Sequence, residues 1–304
     1  MKLKNHIAFA LNIIATAMFL FSIESCTKDI SVTPLPYSTK PVIECMLKPG
    51  DPIKLSLNSS VAYFDALVYN KDLFVRNASV IISSSFGTET LQIDSAENLF
   101  TCEYEYFYKS QNNVQPNTTY TLNLTVDGKT YSAQTTTNQT KTVITAASYT
   151  SIFSDIYGEH EGVIVDFNDI PGEPNFYRYQ MTRTIDSTTT YGETLIYSLC
   201  THGSFFYVKE TGRAVYKDKN QDGLPQEIVV EPAYKHKAND AGYVFIQTID
   251  KNAADFYDQL DRQKLSQFNP FVEPVFLKPL QFPDAIGVFG SYALSDSVLF
   301  VYPE

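Results

Sequence analysis

The 304-residue sequence predicts a mainly β protein of two sandwich-like domains, the first immunoglobulin-like and the second with one packed α-helix. Three observations predict it. Strand-favouring residues are abundant: 21 Tyr and 21 Phe stand beside frequent Thr, Ser, Val and Ile. Tyr120–Val126 alternates apolar with polar residues, Asp127-Gly128 turns, and Lys129–Ala133 returns. Asp-Gly suits the positive φ that a tight two-residue turn requires at both central positions. Apolar residues at convincing helical spacing occur only from Lys251 to Gln267.

Taken in order, residues 1–25 read as an export signal. Met1–His6 is short and basic, Ile7–Ile23 is apolar apart from Asn12, Thr16 and Ser22, and Ser25 precedes Cys26. A peptidase that cuts before an acylated cysteine needs this layout, because the thiol must sit at the membrane surface to receive the chains. Cys26 is therefore the expected lipidation site, with an ordinary secretory signal and a chance cysteine as the alternative. More than one acyl chain gives stable attachment. Residues 26–40, with Pro34 and Pro36 and no periodicity, read as a tether.

The first domain is expected over 41–138. Pro41–Leu47 and Ile53–Leu57 form strands around Lys48-Pro49-Gly50-Asp51. Ala78–Ile82, Leu91–Ile93, the alternating Leu99–Phe107 and the Tyr120 hairpin complete an immunoglobulin-like set. Thr135–Thr142 lacks apolar periodicity and marks a boundary. The second domain is expected over 143–304. Its strands are Gly162–Phe167, Phe176–Ile185, Thr194–Leu199, Phe205–Val208, Ala214–Tyr216, Ile228–Val230, Tyr243–Ile249 and Val298–Tyr302. Its helix starts after Asp250, which can cap it, and stops at Asn269-Pro270. Ala253, Phe256, Tyr257, Leu260 and Lys264 share one face of that helix.

Charge excludes one function class. The chain carries a net charge of −11, and loss of Lys2, Lys4 and Glu24 with the signal takes it to −12. With no basic stripe, nucleic acid is not an expected partner. Three cysteines remain after Cys26. Cys45 and Cys102 read as buried free thiols in strand-like runs, with a bridge between them as the alternative; Cys200 stands apart.

Several segments together carry a family resemblance. They are Pro41-Val42-Ile43-Glu44, the Tyr120–Tyr131 hairpin, Pro171-Gly172-Glu173-Pro174-Asn175-Phe176-Tyr177-Arg178, Phe256-Tyr257, Asn269-Pro270-Phe271 and Ala285-Ile286-Gly287-Val288-Phe289-Gly290-Ser291-Tyr292. This series resembles the Bacteroidota lipoproteins grouped as domain of unknown function 4249, over nearly the whole mature chain. The resemblance implies an outer-membrane lipoprotein that accompanies a TonB-dependent receptor, by analogy with the lipoprotein lids of nutrient importers. Lys28-Asp29, directly after Cys26, resemble surface-export signals of such lipoproteins, and read equally well as a solvated linker. Physically, Pro171-Gly172 reads as a turn between strands. Gly287 and Gly290 read as a close backbone approach or a bulge.

Chemistry is sparse. Asp218, Asn220 and Asp222, followed by Gly223, have the spacing of a calcium loop, in which alternate oxygens converge and the glycine permits a sharp turn. The closing carboxylate is missing, since Val229 stands there; Glu227 or Glu231 would have to substitute. A polar turn is the plainer reading, and calcium is the sole cofactor the sequence raises. Asp94-Ser95-Ala96, Asp186-Ser187-Thr188 and Asp296-Ser297-Val298 resemble short O-glycosylation sites, and are also good turn chemistry. His160, between Glu159 and Glu161, reads as a solvated charge cluster, and His202 near Cys200 as a weak metal signal. No Gly-x-Ser-x-Gly elbow, H-E-x-x-H helix or glycine-rich phosphate loop occurs.

Aromatic clusters are the stronger candidates. Tyr104 and Tyr106, beside Phe100, Phe107 and Tyr108, form one; Phe205, Phe206 and Tyr207 form the other. Consecutive strand residues point to opposite faces, so some of these rings reach solvent, a partner or a sugar, unless both faces are covered. The expected function is non-enzymatic: an accessory or substrate-capture subunit of a TonB-dependent receptor, lipid-anchored at the outer membrane. The alternative is a free-standing surface module for glycan binding or adhesion. A hydrolase comes third, because no catalytic constellation emerges.

Overall fold

The computed structural model describes residues 37–62, 70–98, 102–155, 158–172, 174–186, 190–191, 194–195, 205–218, 221–268 and 275–304. The expected signal, Cys26, Lys28-Asp29 and most of the tether lie outside these residues.

Eight strands make the first sandwich: β1 (Pro41–Leu47), β2 (Pro52–Ser59), β3 (Ser79–Ser84), β4 (Gly87–Thr90), β5 (Gln92–Asn98), β6 (Glu103–Asn113), β7 (Thr119–Val126) and β8 (Lys129–Thr136). A short helix, α1 (Asn70–Leu73), lies between β2 and β3. One layer runs β1-β2-β6-β5 and the other β4-β3-β7-β8. Read in chain order, these are the A-B-E-D and C′-C-F-G layers of an immunoglobulin domain. Strict alternation builds the core: Ile43, Cys45 and Leu47 of β1 and Ile53, Leu55 and Leu57 of β2 meet Leu122, Leu124 and Val126 of β7. At the start of β7 the Tyr120 hydroxyl accepts the Gln115 N–H at 2.7 Å. That bond is the tyrosine corner of immunoglobulin-like domains, which ties strand F to the chain just before it. The Asp127-Gly128 turn has φ of 49° and 76°, as the hairpin reading requires.

The cysteines need a correction. Cys45 is free and buried, and burial pushes its thiol far up. Cys102 is disulfide-bonded, to a cysteine outside the described residues. It is not in a strand core: it occupies an exposed turn ahead of β6 with φ of 59°. The alternation read across Leu99–Phe107 spans this turn, so it does not describe one strand.

The rest of the chain supplies β9 (Val143–Asp155), β10 (Gly158–Asn168), β11 (Phe176–Asp186), β12 (Thr190–Tyr191), β13 (Thr194–Leu195), β14 (Phe205–Thr211), β15 (Tyr216–Lys217), β16 (Pro225–Val230), β17 (Ala241–Ile249), α2 (Lys251–Phe268), β18 (Ile286–Leu294) and β19 (Val298–Val301). β18 pairs in parallel with β1, from Val42 opposite Ile286 to Leu47 opposite Ser291. The first layer thereby extends through β18, β17 and β11 to β14. Strands from both sides of Thr135–Thr142 thus share one sheet. A three-stranded sheet, β16-β10-β9, covers the extension over a second core that includes Val165, Phe167, Tyr177, Tyr179, Val244 and Ile246.

The opposite face of the long sheet carries α2. Ala253, Phe256 and Tyr257 are buried against Ile249 and Val288, with Leu260 packed beside them. Asp250 caps the helix, its Oδ1 accepting the Ala253 N–H at 2.8 Å. Its Oδ2 accepts the Ser291 N–H at 3.0 Å and the Thr135 hydroxyl. Burial pushes the Asp250 carboxyl above its ordinary value, and these hydrogen bonds oppose that rise. Thr135, Thr137 and Thr142 are buried, so the polar stretch read as a boundary is packed. Its hydroxyls find partners: Thr137 donates to the Gln115 carbonyl at 2.7 Å and Thr142 to the Asn168 carbonyl. Threonine carries no apolar periodicity, which is why the sequence hid this packing.

Candidate functional site

Among the described residues the outer face of β1, β2 and β6 is left open beside α2, and a groove of about 480 Å³ lies on it. Alternation puts Glu44 and Met46 of β1 and Lys54, Ser56 and Asn58 of β2 along its floor. Phe74, Tyr104, Tyr106 and Phe107 supply its aromatic lining. Both expected residues of the first aromatic cluster are therefore here, and Tyr104 is 55% exposed. Tyr108 is not: it is buried, donating to the Val75 carbonyl at 2.8 Å and accepting the Ala78 N–H at 3.2 Å. Sequence reasoning missed Glu44 and Lys54 in the groove, and Arg76, which does not line it but backs one of its rings. Arg76 stacks over Tyr106, 4.0 Å from the ring centroid, and Lys54 sits 5.0 Å from the Phe107 centroid. Such cation–aromatic contacts hold a charged group in place without neutralising it. Glu44 is oriented from α2, accepting the Tyr257 hydroxyl at 2.8 Å; the Arg178 guanidinium covers that same ring at 3.7 Å.

Of the second aromatic cluster, only Tyr207 has its side chain among the described residues. Tyr207 is 73% exposed on β14. Phe205 and Phe206 belong to β14 by backbone, and their side chains lie outside the described residues. Register extends the Tyr207 surface across the sheet. Tyr207 pairs with Thr184, Tyr243 with Thr182 and with Leu299, and Ala241 with Val301. Paired strand residues share a face, so Tyr207, Tyr243, Leu299 and Val301 form one outward stripe. Each is exposed.

The expected calcium loop is partly in place. Asp218 and Asp222 come together, Asn220 lies outside the described residues, and the third carboxylate is Asp169, with ligand atoms of all three within 4.8 Å of one another. Glu227 and Glu231 take no part: Glu227 pairs with Asp166 in the β10–β16 ladder and Glu231 lies 3.6 Å from His160. Asp169 stands just before Pro171-Gly172, so the cluster joins two segments far apart in sequence. Asp169 accepts the Tyr177 hydroxyl at 2.5 Å and the Gly223 N–H at 2.7 Å, and Asp222 accepts the Gly172 N–H at 2.7 Å. Gly172 has φ of 107°, the turn backbone the Pro-Gly pair predicts. These bonds alone give the carboxylates a role as a hub between loops. Asp169→Ala is expected to lower stability by about 1–3 kcal/mol in urea unfolding, because the Tyr177 hydroxyl and Gly223 N–H lose their acceptor. Repeating the wild-type melt with millimolar calcium tests directly whether a cation adds to the hub.

The two described histidines stand in ring and ion-pair contacts. His236 stacks on Tyr302 with centroids 3.7 Å apart and lies 3.7 Å from Glu161; burial pushes its imidazole below the ordinary value. His160 lies 3.6 Å from Glu231. His202 lies outside the described residues. Of the three Asp-Ser segments, Ser95 and Ser297 are exposed and Ser187 is outside the described residues.

An immunoglobulin-like sandwich continued by a second β layer, with one capped helix on the shared sheet, defines the class of protein. The particular family follows from the sequence: the domain of unknown function 4249 matches residues 28–293, and the chain belongs to it. No curated protein matches the chain. A crystal structure of the chicken CNTN1 FN1–FN3 domains is similar at 9% identity and a TM-score of 0.23, covering 87% of this chain and 69% of that one. At that score the likeness carries no argument, and the fold assignment rests on strand order and the tyrosine corner.

Proposed function

We propose that the protein is a non-enzymatic, lipid-anchored accessory subunit of a TonB-dependent outer-membrane receptor, and that it helps capture substrate beside the channel. The observation that carries this reading is the stripe of Tyr207, Tyr243, Leu299 and Val301. These rings and aliphatic groups are exposed on a rigid sheet, from 47% for Val301 to 73% for Tyr207. Exposed rings and aliphatic side chains gathered on one sheet face, with Thr184 and Lys209 among them, suit an interaction surface. Aromatic anchors fixed by a sheet lose little freedom on docking, which favours them as contact residues. Among the described residues no helix is long and apolar enough to cross a membrane, so attachment in this reading falls to acyl chains on Cys26. Tethering holds the stripe near the barrel and raises its effective concentration there.

The test is mild detergent extraction and recovery through a carboxy-terminal tag on a flexible spacer. A large β-barrel is expected to come with the wild-type chain. Tyr243→Lys and Leu299→Lys are expected to lose it while keeping the wild-type melting temperature, since both side chains face water. Recovery of the tagged chain without a barrel would sink the proposal. A second reading, a free-standing glycan-binding module, is favoured by Tyr104 in the groove; it requires ligand binding with no barrel partner.

A further inference from the structure

We infer that a pocket at one end of the first sandwich binds an aliphatic ammonium group, carried by a free primary amine or by a lysine side chain of another polypeptide. The inference goes beyond the accessory-subunit reading and does not rest on it. The pocket opens between the two layers, where the β3–β4 turn, the end of β6 and the starts of β2 and β7 meet. Its volume is about 290 Å³. That is room for one short unbranched chain, below the size of most drug-like sites.

Strand alternation decides what faces the gap. Ile53, Ile82 and Tyr120 point into the core and give the pocket an apolar floor. Glu89 of β4 pairs with Ile82 of β3, so the two share a face and the carboxylate is directed inward. It reaches across to the other layer. Its Oε1 accepts the Gln111 N–H at 2.5 Å, and its Oε2 accepts the Asn112 side-chain amide at 2.9 Å. These bonds fix the group before any ligand arrives. They leave its charge in place, because both donors are neutral, and each oxygen keeps a further lone pair. Among the described residues Glu89 has no ion-pair partner, and no Lys, Arg or His lines the pocket.

The capacity that remains is for a cation. An ammonium carries three donors. Besides Glu89 it would find the side-chain oxygens of Asn112, Asn113 and Gln115, none of which accepts a bond among the described residues. Phe86, 73% exposed in the β3–β4 turn, lines the same pocket, and a ring beside an ammonium adds to the attraction. The floor separates an alkyl ammonium from a metal ion. Methylenes behind the head group can cover Ile53 and Ile82, whereas a hard metal ion takes six or more oxygens and gains nothing from aliphatic walls. Anions are disfavoured twice, by the lone carboxylate and by the chain's net charge of −11, which also raises the local concentration of cations.

The experiment is ligand-observed NMR titration of the full chain in detergent with two matched pairs of probes. One pair is 1,4-diaminobutane and 1,4-butanediol; the other is doubly capped lysine and doubly capped norleucine. The ammonium probes are expected to bind and their neutral counterparts are not, and the tighter of the two ammonium probes identifies the source. Glu89→Gln is expected to weaken binding by about tenfold, the scale of one charge-assisted hydrogen bond. Asn113→Lys is expected to weaken it as much by placing an ammonium in the pocket, and it keeps both bonds of Glu89. Phe86→Ala should cost about threefold. Glu97→Gln, exposed on β5 and outside the lining, makes the same change in net charge as Glu89→Gln and should leave binding unchanged. Asn113, Phe86 and Glu97 are exposed, so those variants should melt with the wild type and keep the test valid if Glu89→Gln folds poorly. No binding of either ammonium probe overturns the inference. So does equal binding of the neutral probes, wild-type affinity in Asn113→Lys, or a loss in Glu97→Gln as large as that in Glu89→Gln. The pocket shares no residue with the Tyr207 stripe, so this inference and the accessory-subunit reading fail separately.

Discussion

Gly287→Ala is expected to cost more stability than any surface change in this chain and to separate the unfolding of its two halves. Gly287 sits where β18 meets β1, directly opposite Ile43, with φ of 149°. A side-chain carbon built there would lie 1.9 Å from the Ile43 carbonyl oxygen. Nothing flexible can yield, because the obstacle is backbone in the centre of the long sheet. The left-handed backbone costs a non-glycine residue about 1–3 kcal/mol. The overlap adds a further cost of about 1–3 kcal/mol, as overpacked interiors do. The β1–β18 pairing is the seam between the immunoglobulin-like layer and the rest of the sheet, so opening it uncouples two cores. Chemical denaturation should show a lower first midpoint and two transitions in place of one. Gly290→Ala is the matched control. Its added carbon would meet Ala253 Cβ, Asp250 Oδ1 and Met46 Sδ, each at 3.0 Å. Met46 Sδ is a flexible chain end, and Ala253 and Asp250 need move with the start of α2 by only a few tenths of an ångström, far less than the 1.9 Å overlap demands at Gly287, so the loss should be smaller and the transition single. A wild-type midpoint for Gly287→Ala would refute the close-approach reading.

That glycine shows what the sequence made legible. Alternation and turn chemistry are local, and they placed β1, the Tyr120 hairpin, β11, β17 and α2 to within three residues. Gly287 and Gly290 could be read as points of close approach, because glycine in an otherwise apolar strand has few other uses. What approached them could not be read. The parallel pairing of β1 with β18 joins residues more than 240 positions apart, and no local pattern encodes it. The same limit applies to the sites. Tyr104, Tyr106 and Tyr207 were found because exposed aromatics are chemically conspicuous. Asp169 was missed because a loop carboxylate gives no sign of the other loop it will meet. Arg76 and Lys54 were missed because an exposed cation is unremarkable until its partner proves to be a ring. β4 and β9 escaped for another reason: Gly87–Thr90 is polar and mostly exposed, and the outward positions of β9 blur its alternation.

The second large effect is expected at a buried ion pair that no motif announced. Arg183 on β11 and Glu210 on β14 face each other, Nε to Oε1 at 2.6 Å, with side chains 0% and 5% exposed. The remaining donors of Arg183 go to the Tyr234 and Lys235 carbonyls, and the second oxygen of Glu210 accepts the Ala233 N–H at 2.8 Å. The pair therefore clamps residues 233–235 onto the sheet edge. Removing one partner leaves the other charge buried and unpaired, which costs about 3–5 kcal/mol. Arg183→Met and Glu210→Met should each lose that much in urea unfolding. Arg183→Met with Glu210→Met should lose far less than the sum, because an apolar pair of similar volume removes both charges together. Ala233 and Lys235 are exposed, so water can take over their backbone groups in the double variant. Hydrogen exchange separates the two consequences. In the double variant the amides of β11 and β17 should stay protected while the 233–235 segment exchanges faster. The sheet would then be shown to stand without the pair, and the pair to exist for the loop. If the double variant is as unstable as the two singles combined, the cost lies in lost packing instead, and the clamp argument fails.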